Sequence, residues 1–144
     1  MKLTIYEYTI PWRIPTLKEK IIDLESTGVG TESDPFIIEN VRNLLNFFEI
    51  HDFKQFIIFR NCKFQSIIFR KCQNIHFDSC SMDSITLEDC TQFLFTNIIV
   101  NEFLTFLHTT NVKIEESTIK KLKNYKSNEI KVRDCDIKRI KEKM

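Results

Sequence analysis

The chain has 144 residues and a mass of 17.2 kDa, which is enough for one domain with a buried core. With 42% hydrophobic and 28% charged residues it is not disordered by composition, and no segment approaches the roughly 20 consecutive apolar residues of a membrane-spanning helix. The formal net charge is +1, and Glu7 interrupts the short apolar stretch at the N-terminus, so this stretch does not read as a signal peptide. We therefore expect a cytoplasmic protein with no membrane partner.

The N-terminal unit, residues 1–35, is predicted to be a strand followed by a short capping helix. Leu3, Ile5 and Tyr8 suggest the strand. Thr16 and Glu19 have the spacing of a capping box, in which the Thr oxygen and the Glu carboxylate accept hydrogen bonds from the first free N–H groups. Leu17, Ile21 and Leu24 then share one helical face. Such a helix would cover one open end of the rest of the fold.

A six-residue phrase recurs along the rest of the chain. Its copies are IIFRNC (57–62), IIFRKC (67–72), IHFDSC (75–80), ITLEDC (85–90), FLFTNI (93–98), VKIEES (112–117) and IKVRDC (130–135). Alternate copies begin at residues 57, 75, 93, 112 and 130, so the period is 18 or 19 residues. A fixed period this short is typical of a solenoid. We assign residues 36–144 to its coils and residues 1–144 to a single domain.

Within one period the apolar or small residues step by 2, 3, 2, 3, 2, 3 and 3. The second period shows the pattern with Ile75, Phe77, Cys80, Met82, Ile85, Leu87 and Cys90. A step of two keeps both side chains on one strand face, and a step of three marks a corner. Three strands in each period predict a three-sided coil. About six coils would stack into an all-β solenoid of parallel, in-register strands about 4.8 Å apart.

The phrase I-x-F-x-x-C-x-F, with the opening GVGTESDPFIIEN at residues 28–40, resembles the repeats of right-handed parallel β-helix proteins. That superfamily includes pectate lyase-like enzymes and copper-protein maturation factors, and the likeness covers about residues 28–140. The resemblance implies a right-handed, three-sided parallel β-helix. By analogy of fold alone it also implies a carbohydrate partner. The coils are shorter than the usual ones of that superfamily, and their stepping also resembles pentapeptide-repeat helices.

The cysteines are predicted to form structural ladders at two inward corners. One column holds Cys62, Cys80, Ile98, Ser117 and Cys135, and the other holds Cys72, Cys90 and His108. A buried free thiol packs as a small hydrophobe, which favours a structural role. Bridges within each column are sterically possible because neighbouring rungs lie within the Cα range of a disulfide, although an ordinary cytosol keeps thiols reduced. No CxxC pair is present, and we expect no metal site.

The third coil carries apolar residues at outward as well as inward positions. The predicted interface consists of Ile58, Ile68, Leu94, Ile99, Leu104, Phe106 and Leu107. A contiguous exposed apolar patch usually marks an interface, although the N-terminal unit could cover one side of it. We expect a homo-oligomer or a protein partner, formed either side by side through this belt or by stacking of coil ends.

The C-terminal end is basic. Residues 118–144 hold ten Lys and Arg against four acids, a balance of +6, which leaves −5 for the rest of the chain. The predicted basic end consists of Lys120, Lys121, Lys123, Lys126, Lys131, Arg133, Lys138 and Arg139. It is a solvated face, a contact for a polyanion, or a source of head-to-tail attraction between molecules. Nucleic acid ranks low because the pattern shows no exposed aromatic residues interleaved on a basic face.

Enzyme chemistry has little support in the sequence. The three histidines have no serine–carboxylate or cysteine constellation in register, and Asp78 follows Arg60 on one ladder as a cross-strand pair would. The corners have one or two spare residues, too few for an active-site wall. We expect no catalytic residues and no cofactor. The favoured function is a non-catalytic scaffold for self-assembly or protein–protein interaction. A carbohydrate-binding or carbohydrate-processing protein is the alternative, and nucleic-acid binding through the basic end is a lower one.

Overall fold

The computed structural model describes residues 2–9, 18–25, 27–41 and 48–143, and all regular structure in these ranges is β. The strands in chain order are β1 (Lys2–Thr9), β2 (Lys18–Glu25), β3 (Phe36–Glu39), β4 (Phe48–His51), β5 (Ile57–Arg60), β6 (Lys63–Arg70), β7 (Gln73–Asp78), β8 (Ser81–Glu88), β9 (Thr91–Thr96), β10 (Ile99–Leu107), β11 (Thr110–Glu115), β12 (Thr118–Tyr125), β13 (Asn128–Arg133) and β14 (Asp136–Lys143). The predicted all-β solenoid of about six coils is confirmed.

Each coil from β3 onward contributes one strand to each of two parallel sheets. The short-strand sheet has the order β13-β11-β9-β7-β5-β3, and the long-strand sheet has the order β14-β12-β10-β8-β6-β4. The register follows the repeat, since Ile57 pairs with Ile75 and Ile75 pairs with Phe93. Equivalent residues of successive coils therefore form straight columns along the solenoid.

The long strands bend in the middle, which gives each coil three sides. In β8, the consecutive residues Ser84 and Ile85 are both buried, whereas Met82 and Leu87 follow the usual alternation on either side. A strand that buries two consecutive residues must change direction between them. Ser84 shares a hydrogen bond of 3.0 Å with Ser66 of the preceding coil at this bend.

The predicted N-terminal helix is wrong for the part that the structure describes. Residues 18–25 form strand β2, which pairs antiparallel with β1 from Lys2↔Glu25 to Thr9↔Lys18. Thr16 and Leu17 lie outside the described residues. The segment KEKIIDLE contains adjacent β-branched residues, and β1 supplies an edge with which it can pair. The strand β1 lies beside β4, and Thr27 bridges to Ile37 of β3, so this unit still lies at the first coil.

Phenylalanine rings stack through the middle of the core. Phe77 is fully buried, and its ring lies 4.9 Å from Phe59 and 5.5 Å from Phe95, nearly parallel to both. Phe64 and Phe69 approach the Phe77 ring edge-on, at 5.9 and 5.7 Å. Both arrangements are favourable for aromatic pairs. The core is thus a continuous column, to which each coil adds one layer.

One residue more than the regular period lies in β10, and this changes which side chains face inward. The pairing of β10 with β8 shifts register between Val100 and Phe103, after which Leu104 pairs with Ile85 and Phe106 with Leu87. An extra residue of this kind is a β-bulge, and a slip of one residue reverses the two strand faces. The predicted outward positions of Leu104 and Phe106 are therefore wrong, since both are fully buried.

The corners turn without glycine. Among the described residues, fifteen non-glycine residues have φ between 47° and 68°, which is the left-handed region. This conformation costs roughly 1–2 kcal/mol per non-glycine residue. The backbone N–H groups at these corners donate across the rungs, as from Asn61 to Asp78 O at 3.0 Å and from Asn97 to Glu115 O at 3.0 Å. These bonds offset the strain, and they explain how a chain with two glycines makes so many sharp corners.

The last coil exposes its inward side chains. Val132 of β13 is 45% exposed and Ile140 of β14 is 59% exposed, whereas the equivalent Ile114 and Leu122 of the preceding coil are buried. The strands β13 and β14 are the last of their sheets, and a shallow cavity of about 330 Å³ lies over them. Within the described residues, the apolar column of the core is open to solvent here.

Candidate functional site

A groove of about 530 Å³ lies on the outer face of the short-strand sheet, and we call it the short-strand groove. Its floor contains Ile58, His76 and Leu94, which form one outward column on β5, β7 and β9 and are all half-buried. Lys113 of β11 lies at one end of the groove and Glu32 at the other. The groove therefore has a largely apolar floor between an acidic end and a basic end.

Amide side chains line the wall of this groove. Asn74, Gln92 and Asn111 lie one above another in successive coils, and all three have left-handed backbone conformations with φ of 68°, 58° and 58°. Asn74 donates a hydrogen bond of 2.9 Å to Lys54 O, and this bond fixes its orientation. The wall thus offers both donors and acceptors at intervals of about 4.8 Å along the solenoid.

The acidic end of the groove is formed by the loop that enters the first coil. Gly28 has φ of 88°, and a Cβ atom there would lie 1.9 Å from Pro35 O, so a residue with a side chain does not fit without rearrangement. The N–H groups of Val29 and Gly30 both donate to Asp34 O, at 3.1 and 3.0 Å. This tight loop places Glu32 and Pro35 against the groove.

His76 is held in the groove floor by a neighbouring hydroxyl. Its Nε2 lies 2.8 Å from Thr96 Oγ1, and Thr96 lies 3.3 Å from Asp78 Oδ1, to which it donates. Burial is the main cause that lowers the pKa of His76, against a smaller opposing effect of Asp78. When the Thr96 hydroxyl donates to Asp78 or to Phe77 O, the neutral imidazole donates through Nε2 and keeps Nδ1 as an acceptor. The sequence predicted an outward His76 but not this hydrogen-bonded chain.

A second polar cluster lies at the start of the long-strand sheet. Glu49 is 7% exposed, and its carboxylate lies 2.7 Å from His51 Nε2 and 3.9 Å from Arg70. Arg70 also pairs with Glu88 at 3.2 Å. These side chains come from three successive coils. The cluster holds the coils together, because a buried carboxylate needs partners of this kind.

The cysteine ladders are hydrogen-bonding corners as well as packing elements. Cys62, Cys72, Cys80 and Cys90 are buried free thiols, and Cys135 is half-buried. Each thiol lies within hydrogen-bond distance of two backbone carbonyls, one in its own coil and one in the coil before, as Cys80 does with Asp78 O and Phe59 O. Ser117 and Thr109 occupy equivalent corners with their hydroxyl groups. The corner thus selects a small side chain that can donate.

The second cysteine column continues through Thr109, and its predicted continuation through His108 is wrong. Thr109 is fully buried and His108 is exposed, because the bulge in β10 moves the corner by one residue. The stacked thiols also affect each other. The adjacent Cys80 thiol lowers the pKa of Cys62, and the pKa of Cys80 is raised, first by Cys62 and then by burial. The pair of Cys72 and Cys90 shows the same directions.

The predicted apolar belt does not form one continuous surface. Leu104 and Phe106 belong to the core, and the other predicted interface residues are divided among the sides of the coil. Ile58 and Leu94 lie in the short-strand groove, and Ile99 is 50% exposed on the first half of a long strand. Ile68 and Leu107 are half-buried on the second halves of the long strands. The structure thus brings together two of the seven.

The residues of the predicted basic end fall on both sheets. Lys131 and Arg133 lie on β13, where Arg133 pairs with Glu115 at 3.1 Å, and Lys126 lies at a corner. The other predicted members share the long-strand sheet: Lys120, Lys121, Lys123, Lys138 and Arg139. Lys141 of β14, which was not predicted, is exposed beside them.

Comparison with protein-family models, with curated proteins and with solved structures gives no match. Among the residues that the structure describes, there is no group of three or more His, Cys, Asp or Glu side chains arranged to hold a metal ion. A helix with the length and apolar character needed to cross a membrane is also absent from these ranges.

Proposed function

We propose that this protein is a non-catalytic scaffold that binds an extended segment of a protein partner in the short-strand groove. One observation carries the proposal. Ile58 and Leu94 lie outward in one column with His76 and form the floor of a groove of about 530 Å³. Apolar residues on an otherwise polar outer face are the usual mark of an interaction surface.

The chemistry of the groove favours a peptide over other occupants. It crosses four strands, a length of about 14 Å, which is about four residues of extended chain. Ile58 and Leu94 would contact apolar side chains, while Gln92 and Asn111 can bond to peptide groups. Glu32 and Lys113 then favour a segment with a basic residue at one end and an acidic residue at the other.

The proposal is tested by selecting binders from a displayed library of random dodecapeptides against the full chain. We expect enriched sequences with apolar residues in alternation between a basic and an acidic end. A synthetic peptide of the enriched sequence is then titrated by calorimetry. Leu94→Asp should weaken its binding at least about 10-fold because it places a desolvated charge in the floor. The matched control is Ile99→Asp, which lies in the same coil, is more exposed and is outside the groove.

Equal weakening by the two variants, or a library that gives no enrichment, would contradict the proposal. If the protein binds glycans on an array and Leu94→Asp abolishes that binding, the ligand of the groove is a carbohydrate and not a peptide. Light scattering on the same proteins tests for self-association. If the wild type is a dimer and Leu94→Asp is a monomer, the groove is occupied by a second copy of the chain. Thermal unfolding of each variant shows that the comparison is made between folded proteins.

We also propose that the chain belongs to the right-handed parallel β-helix superfamily. The short parallel coils and the inward I-x-F-x-x-C phrase support this assignment. Neither feature identifies a substrate, since the repeated residues report on packing.

A further inference from the structure

The outer surface of the last two long strands, on both sides of their bend, carries an unusual concentration of positive charge. Its six cations are Lys120, Lys121 and Lys123 of β12 and Lys138, Arg139 and Lys141 of β14, and we call them the cationic face. None of the six has an acidic partner within ion-pair distance among the described residues. The acidic residue at an outward position of these two strands is Asp136, at the start of β14.

The strand register places like charges directly opposite each other. Lys121 pairs with Arg139 and Lys123 with Lys141, and the same offset sets Lys120 beside Lys138. Neighbouring strands are about 4.8 Å apart, and like charges at that separation destabilise a sheet. The outer columns of the short-strand sheet contain a pair of opposite charge, Arg60 with Asp78, as well as one like-charged pair, Lys113 with Lys131. Three repulsive pairs in succession indicate a face that is neutralised by something else.

Two aromatic side chains lie on the same side of the sheet as these cations. Phe103 is half-buried in the bulge of β10, with Lys123 Nζ 4.3 Å from its ring centroid. Tyr125 is half-buried two residues after Lys123, and it pairs in register with Leu107 and with Lys143. The structure therefore places two half-buried aromatic side chains beside the basic residues, a combination that the sequence pattern lacked.

We infer that the cationic face binds single-stranded nucleic acid. Rows of Lys and Arg contact the phosphates, and Tyr125 provides a surface on which a base stacks. Unpaired bases are required for stacking, and this distinguishes a single strand from a duplex. This site lies on the long-strand sheet, apart from the short-strand groove, so it does not depend on the peptide proposal.

The test measures fluorescence anisotropy of a labelled oligo(dT) single strand with the full chain. Three residues of the cationic face are replaced by threonine in Lys121→Thr, Lys123→Thr, Arg139→Thr, because Thr105 and Thr86 occupy one of these columns in earlier coils. We expect the triple variant to bind about 100-fold more weakly at low salt. Its slope of log K against log salt should be smaller by about 2, because about 0.7 is lost for each phosphate contact.

A second variant tests stacking separately from charge. In Tyr125→Leu the tyrosine is replaced by leucine, which is the residue that pairs with it in register at Leu107 of β10. We expect about 10-fold weaker binding with an unchanged salt slope, because stacking releases no counterions. The control is Lys63→Thr with Lys71→Thr, two exposed lysines at the start of β6 and just after its end, which should change the affinity less than about 2-fold.

Three results would overturn the inference. One is wild-type affinity in the triple variant. Another is equal binding of a duplex of the same length or of heparin with no effect of Tyr125→Leu, which would show a general polyanion contact. The third is tighter binding to vesicles made of equal parts of phosphatidylserine and phosphatidylcholine than to the oligonucleotide. Thermal unfolding accompanies each measurement, and relief of the repulsion should raise the melting temperature of the triple variant.

Discussion

The coils between residues 57 and 109 and the two coils that follow repeat one inward pattern, yet their surroundings differ. In the first region the Phe77 ring lies between those of Phe59 and Phe95, and Arg60 pairs with Asp78 on the outside. In the last coil Val132 and Ile140 are exposed, and like charges face each other across β12 and β14. Copies of the same repeat therefore contribute unequally to stability at different places in the chain, because a solenoid coil is stabilised by its neighbours.

The sharpest way to break this comparison is to remove one inward side chain from each region. Phe77→Ala should lower the free energy of unfolding by about 3–5 kcal/mol, because it leaves a cavity between Phe59 and Phe95. Ile140→Ala should cost less than about 1 kcal/mol, because that side chain is 59% exposed. Urea denaturation measures both. Similar costs at the two sites would contradict the difference between the regions.

The corner hydroxyls provide a second comparison within one segment. Thr109 is fully buried, its hydroxyl donates to Leu87 O or Leu107 O at 3.1 and 3.0 Å, and it accepts from the Cys90 N–H. Thr109→Val should cost about 1–3 kcal/mol, because it leaves buried backbone groups with fewer partners. Thr110→Val is the control and should cost less than about 1 kcal/mol, since its half-buried hydroxyl contacts only that of Thr91 among the described contacts. A larger loss in the control would show that the corner is not special.

Thiol reactivity sharpens the comparison without any mutation. Cys135 in the last coil is half-buried, whereas Cys62, Cys72, Cys80 and Cys90 are at most 3% exposed. We expect Cys135 to react with a thiol reagent at least about 10-fold faster than the other four, which require the coils to open. Mass spectrometry of peptides labelled over time measures each rate. Rapid labelling of Cys62 or Cys80 would contradict their inward positions.

The smallest expected effect is a pH dependence at His76. Burial lowers its pKa from the ordinary value of 6.5, so the unfolded chain binds the proton more readily than the folded chain does. The free energy of unfolding should therefore fall as the pH drops below about 6.5, and the fall should end once the pH is below the pKa of His76 in the folded chain. His76→Leu should remove this part of the loss between pH 7.5 and 5.5 in urea denaturation. An equal loss in both proteins would show that other groups cause it.

The sequence allowed the parallel coils, their period and the inward phenylalanines to be predicted, because each is repeated several times. It did not reveal features that occur once. The bulge in β10 shifts Leu104 and Phe106 inward, whereas a strict continuation of the period places them outward. Strand β2 reads equally as an amphipathic helix until β1 pairs with it.

The candidate sites were only partly predictable for a similar reason. Ile58 and Leu94 were identified as outward apolar residues, but the sequence did not show that they line one groove with His76 and the loop around Glu32. The cationic face was recognised as charge, whereas Phe103 joined it only through the bulge, which a strict period does not contain. The spacing of residues predicts which side chains share a column, whereas the surfaces formed between columns become visible only in the three-dimensional structure.

The bulge in β10 also has a consequence for how such a chain can change over evolution. The register shift lies between Val100 and Phe103, and the pairing with β8 is regular again from Phe103 to Leu107. The coil after it keeps the regular offset in its pairing with β14. A one-residue insertion is therefore absorbed within half a strand and does not propagate. Because each coil contacts only its neighbours, insertion or deletion of a residue at this bend would leave the pairing of the other coils unchanged. Selection can therefore act on the coils as independent units.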